Sequence, residues 1–121
     1  EMKKTIICDI DGTIFDYPPS GSAHIFHKVR LLPGVLERFA KWEATGHNII
    51  LITGRRESLR KRTEASLIRH GIAFDQLIMG CADTGRVLIN DNSHEGTVKA
   101  HAVALVRDDG MDNFNWEEVG L

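Results

Sequence analysis

Two carboxylates, Asp9 and Asp11, stand two residues apart at the end of the apolar run Thr5-Ile6-Ile7-Cys8 and are followed by Gly12 and Thr13. On an extended backbone, positions i and i+2 project to the same side, so the pair is presented together. Two negative charges this close repel each other, and a hard cation that favours oxygen ligands, Mg²⁺ above all, relieves the repulsion. Gly12 lets the chain turn away from the pair.

A second group follows another apolar run. Thr53-Gly54-Arg55 offers a hydroxyl, a flexible backbone turn and a guanidinium just ahead of a helix, a combination that suits a phosphate. A third, Asn90-Asp91-Asn92-Ser93, supplies one more carboxylate. A calcium loop is the competing reading of Asp-x-Asp-Gly, but the later ligands of an EF-hand are missing. None of the six histidines falls in a metal-binding spacing. Cys8 precedes Asp9 and strand alternation turns it to the opposite face, as a small core residue.

The elements that must position these groups follow from periodicity. Thr5–Cys8 and Asn48–Thr53 are β-branched, lack helical spacing and read as strands buried on both faces. Val35, Leu36, Phe39, Ala40 and Trp42 recur at helical spacing from Pro33 until Gly46, and a second helix is expected from Glu57 to His70, stopped by Gly71. Leu77–Met79, Val87–Ile89 and His101–Val106 read as three more strands. The alternation implies a parallel sheet with helices on both faces and the working residues at the strands' carboxyl ends. Residues 15–32, broken by Pro18 and Pro19, read as a flap or loop insertion, and the tail from Asp109 to Leu121 as a docked segment with Asn115 capping a short turn.

In this order, Asp-x-Asp-Gly-Thr after the first strand, Thr-Gly-Arg after the second and Asp-Asn-Ser after the fourth resemble motifs I, II and IV of the haloacid-dehalogenase superfamily. The resemblance spans residues 5 to 95. It implies a three-layer Rossmann-like α/β domain over residues 1–121, capless, with a five-stranded parallel sheet in the order 3-2-1-4-5. It further implies that Asp9 is the nucleophile and Asp11 the general acid/base, whose backbone carbonyl also faces Mg²⁺. Thr53, with Gly54 and Arg55, would bind the phosphoryl group. Asp91 would complete the metal shell, with Gly12, Thr13 and Asn92 in support.

The Lys of motif III has no counterpart, because no Lys occurs from Arg62 to Val98. Short capsule- and lipopolysaccharide-biosynthesis hydrolases, which the chain resembles through Gly46-His47, Thr53-Gly54-Arg55 and Leu77-Ile78-Met79-Gly80, carry that Lys where Cys81 stands. Arg55 or Arg56 is the better-placed replacement. Arg86, at the start of the fourth strand, is expected on the order of 13 Å from its carboxyl end at ~3.3 Å per residue.

Bulk properties set the remaining bounds. The chain has 121 residues, 42% of them hydrophobic and 26% charged, which is the size and composition of one globular domain. A net charge of −2 gives no overall positive field for nucleic acid. No apolar run approaches membrane-spanning length, and two cysteines without a scaffold pattern point to a reducing cytoplasm. The expected function is Mg²⁺-dependent hydrolysis of a phosphate monoester, a small sugar phosphate by resemblance, with a homo-oligomer allowed. The rivals are a catalytically weak binding or regulatory module, and a phosphotransferase or nucleic-acid-end phosphatase supported by the basic cluster Arg55 to Arg62.

Overall fold

The computed structural model describes residues 2–19 and 27–121. Its elements are β1 (Thr5–Asp9), α1 (Val35–Thr45), β2 (Asn48–Ile52), α2 (Arg60–Arg69) and β3 (Gln76–Ile78), with single 3₁₀ turns at Glu57–Leu59 and Trp116–Val119. The sheet has three parallel strands in the order β1-β2-β3. Ile6 lies opposite Ile49, Cys8 opposite Leu51 and Leu51 opposite Leu77, and all five are buried. That single apolar face is what the pattern of β-branched residues builds.

Both crossovers step in the same direction along the sheet. With the usual right-handed connection, α1 and α2 therefore cover one face. They bury Val35, Phe39, Trp42 and Leu67 against the strands. The second face stays open: Ile7 is 48% and Ile78 45% exposed. Gly46 ends α1 in the left-handed conformation, φ 85°, with its N–H donating to the carbonyls of Trp42 and Glu43.

The five-stranded, three-layer architecture expected from the sequence does not form. Val87–Ile89 and His101–Val106 have the residue types of strands but pair with no strand among the described residues. The physical reason lies in the connection. A parallel strand on the far side of β1 needs a crossover of a dozen or more residues from β3, and Met79–Gly85 is far shorter. The residues beyond it instead form a hairpin-shaped arm. Its limbs meet in a turn at His94 and Glu95, where the Ser93 and Thr97 backbones are hydrogen-bonded at 2.9 Å.

The base of the expected flap is fixed: Phe15, fully buried, bridges to Leu31, and Leu32 N donates to the Ile14 carbonyl at 2.9 Å. The middle of the flap, residues 20–26, lies outside the described residues. The tail docks as expected, and the Asn115 side chain accepts from Glu117 N. Trp116 packs edge-on against Trp42 with ring centroids 5.5 Å apart, and its indole N–H donates to the Met111 carbonyl at 2.8 Å. Trp116→Phe keeps most of the apolar contact but orphans a buried carbonyl, so chemical denaturation should report a loss of about 1 kcal/mol.

Candidate functional site

β1 and β2 end side by side, with Asp9 in register with Ile52, so the loops that follow them share one rim of the sheet. There a cavity of about 890 Å³ is lined by Asp9, Asp11, Gly12, Thr13, Thr53, Gly54 and Arg55, together with Tyr17, Asp83, Arg86 and Arg107. Two of the three sequence groups therefore converge. The convergence follows from parallel pairing, which puts the carboxyl ends of both strands at the same edge.

Asp9 is half-buried at the strand tip. Thr13 Oγ1 donates to its Oδ2 at 3.3 Å, and Arg86 Nη1 to its Oδ1 at 3.2 Å. Burial pushes the Asp9 carboxyl above its usual range, while the Arg86 guanidinium pulls the other way. Gly12, with φ 87°, adopts the left-handed backbone that releases the chain from β1, and its carbonyl accepts from Asp108 N at 2.9 Å. Arg107 stacks over the Tyr17 ring, 3.8 Å from its centroid, and closes that wall.

Asp11 is held differently. Arg55 Nη2 and Nε donate to its two oxygens at 2.6 and 2.9 Å, a two-pronged pair with both side chains mostly buried. Arg55 Nη1 also donates to Thr63 Oγ1 on α2 at 3.1 Å, which ties the pair to the helix. Thr53 is buried, and its hydroxyl accepts from Arg55 N at 3.1 Å. A Cβ at position 54 would meet the Asp83 carboxylate, so a side chain there would displace Asp83 from the cavity wall.

Asp91 is not brought to this cavity. Its side chain is 80% exposed and pairs with Lys99 across the arm at 3.0 Å. Asn92 is also exposed on the arm. Among the described residues no group of three or more His, Cys, Asp or Glu side chains is gathered to hold a metal ion. The donor set of one chain thus does not fit the expected Mg²⁺ site. The carboxylates of Asp9 and Asp11 are both engaged by arginines, and the third carboxylate is elsewhere.

The cation beside Asp9 comes from a different residue than the one expected. Arg86 was expected to lie far from the carboxyl ends because it would begin a fourth strand. That strand is absent, and its guanidinium instead reaches Asp9. Of the two expected replacements, Arg55 is committed to Asp11, and Arg56 lines the cavity. Cys81 donates its backbone N–H to Thr53 O at 2.9 Å and does not line the cavity. The sequence carried no signal for Tyr17 or Arg107, which lie far from Asp9 along the chain or in an unremarkable loop.

No family model and no curated protein matches the chain. The fold is similar to that of a structural-genomics target from Vibrio cholerae, with a TM-score of 0.53 and 20% identity over 98% of this chain and 94% of that one. That likeness concerns the fold alone. No helix of the described residues is long and apolar enough to cross a membrane.

Cys8 is buried beneath the site, where burial and the adjacent Asp9 push its thiol well above the usual range. A thiol reagent at pH 8 should therefore modify one cysteine of the native protein rapidly, Cys81, and both after denaturation. Rapid native modification of Cys8 would contradict the packing of β1.

Proposed function

We propose that the chain is a phosphomonoester hydrolase in which Asp9 attacks the phosphoryl group and Asp11 moves the proton. The observation that supports this reading best is the placement of the Asp9 carboxylate in a cavity that also holds Arg55, Arg56, Arg86 and Arg107. A phosphoryl group brings two negative charges, and guanidinium forks match its oxygens in pairs. Arg86, only 36% exposed and already at Asp9, is positioned to draw a phosphoryl oxygen toward the nucleophile.

In the step itself, an Asp9 oxygen forms a bond to phosphorus as the bond to the ester oxygen breaks, and Asp11 gives a proton to the leaving alcohol. Water, losing a proton to Asp11, then cleaves the aspartyl-phosphate and returns Asp9 and inorganic phosphate. Asp11 must loosen from Arg55 to do this. The Arg55 pair also favours a second reading, a phosphate-binding module with no turnover. Mg²⁺, if bound, would offset phosphoryl charge, but the described residues of one chain do not assemble its shell.

The test is phosphate release from a panel of phosphomonoesters, sugar phosphates included, with and without Mg²⁺. Binding of inorganic phosphate with release from at least one ester supports the hydrolase. Binding without release supports the module, and no binding removes both.

A further inference from the structure

The outgoing limb of the hairpin-shaped arm and the sheet edge beside it are complementary; Val103 and Leu105 of the returning limb pack against the core, but among the described residues neither the outgoing limb nor that edge pairs with a strand. The arm begins at Arg86, which is anchored on Asp9, and ends at Arg107 and Asp108, anchored on Tyr17 and Gly12. Between them Val87 is 87%, Leu88 56% and Ile89 89% exposed, so apolar groups on both faces of this run stand in solvent. A strand that is apolar on both faces belongs inside a covered parallel sheet. β1, meanwhile, pairs only with β2, and its outer edge carries no strand among the described residues. Edges of this kind are normally covered or blunted by charge.

We propose that two copies of this chain exchange these arms, the Val87–Ile89 run of each pairing in parallel with the free edge of the other's β1. The short Met79–Gly85 segment explains why the pairing is made between chains. It leaves Arg86 at the carboxyl tip of β1 and is too short to return its own run to that strand's amino end, but nothing prevents the run from reaching another molecule. Short connections that forbid closure within a chain invite exchange of this kind. Each chain keeps its own three-stranded sheet, and the added strand is supplied in trans.

The exchange also has a chemical consequence. With Val87–Ile89 set alongside Ile6–Cys8, the next residues fall level with Asp9, so Asp91 of the partner subunit arrives at the cavity rim. That rim presents four arginines against three aspartates, Asp9, Asp11 and Asp83, and has room for one more acidic group. The pairing thus supplies the carboxylate that a single chain fails to bring to its own site.

Light scattering on the purified chain should give twice its 13.5 kDa mass. The doubly substituted Val87→Lys, Ile89→Lys variant alters side chains outside the monomer's core, so it should keep its circular dichroism and fall to half that mass. Monomeric wild-type protein at micromolar concentration overturns the proposal, as does a dimer that survives both lysines. A second measurement does not depend on that variant. Ile7→Cys with Leu88→Cys, in a Cys81→Ser background, should oxidise to a covalent dimer, while a disulfide closed within one chain overturns the exchange.

Discussion

Asp9→Asn should abolish phosphate release, lowering turnover by more than about 10³-fold, on the order of 4 kcal/mol of barrier, because it removes the attacking oxygen rather than a contact. Its effect on stability should have the opposite sign. The folded protein holds the Asp9 carboxyl above its usual range, chiefly through burial, so between the unfolded and folded pKa values the native state binds more protons than the unfolded one. Stability therefore falls as pH rises through that window, and the penalty remains in full at neutral pH. Asn cannot ionise and carries no such penalty. Exposure of about a third of the side chain keeps the effect small, and thermal unfolding at pH 7 should show Tm unchanged or raised by about 1–2 °C. Loss of turnover with a lower Tm would mean that Asp9 serves mainly to hold the fold.

Arg55→Ala should produce the largest loss of stability. It leaves the Asp11 carboxylate with neither of its two guanidinium bonds in a mostly buried setting, and it frees Thr63 on α2. Breaking one side of such a pair costs about 3 kcal/mol or more, so Tm should fall by roughly 10 °C. Arg55→Lys should recover little, since an ammonium cannot replace the fork that grips both Asp11 oxygens. The double variant Arg55→Ala, Asp11→Asn should be more stable than Arg55→Ala alone, because it removes the orphaned charge as well. Urea denaturation of the three variants separates these outcomes, and a double variant no better than the single one would contradict the pair's role.

Local order in the chain was legible where local rules decide it. The strands ending at Asp9 and Ile52, the helix closed by Gly46 and the Asn115 cap all follow from residue type and spacing. So does the meeting of Asp9, Asp11 and Thr53, because parallel neighbours share a carboxyl edge. What periodicity does not carry is the length of a connection measured against the distance it must span. Val87–Ile89 has the residue types of a buried strand, yet Met79–Gly85 leaves Arg86 at the carboxyl tip of β1 and cannot return the run to that strand's amino end. The same error misplaced two site residues. Periodicity places Asp91 at the cavity by way of a strand tip that does not form, and it places Arg86 at that strand's far end. The grip of Arg55 on Asp11 was equally hidden, since an Arg that follows a strand can serve a phosphate or a neighbouring carboxylate with the same fork.

The central claim is that a phosphoryl group is carried on Asp9. It is tested most directly by quenching the protein with acid during incubation with a phosphomonoester, reducing acyl-phosphates with borohydride and sequencing the peptides by mass spectrometry. The account predicts that position 9 alone is converted to homoserine, in proportion to substrate and absent from Asp9→Asn. Turnover with an unaltered Asp9, or conversion at another carboxylate, would contradict it.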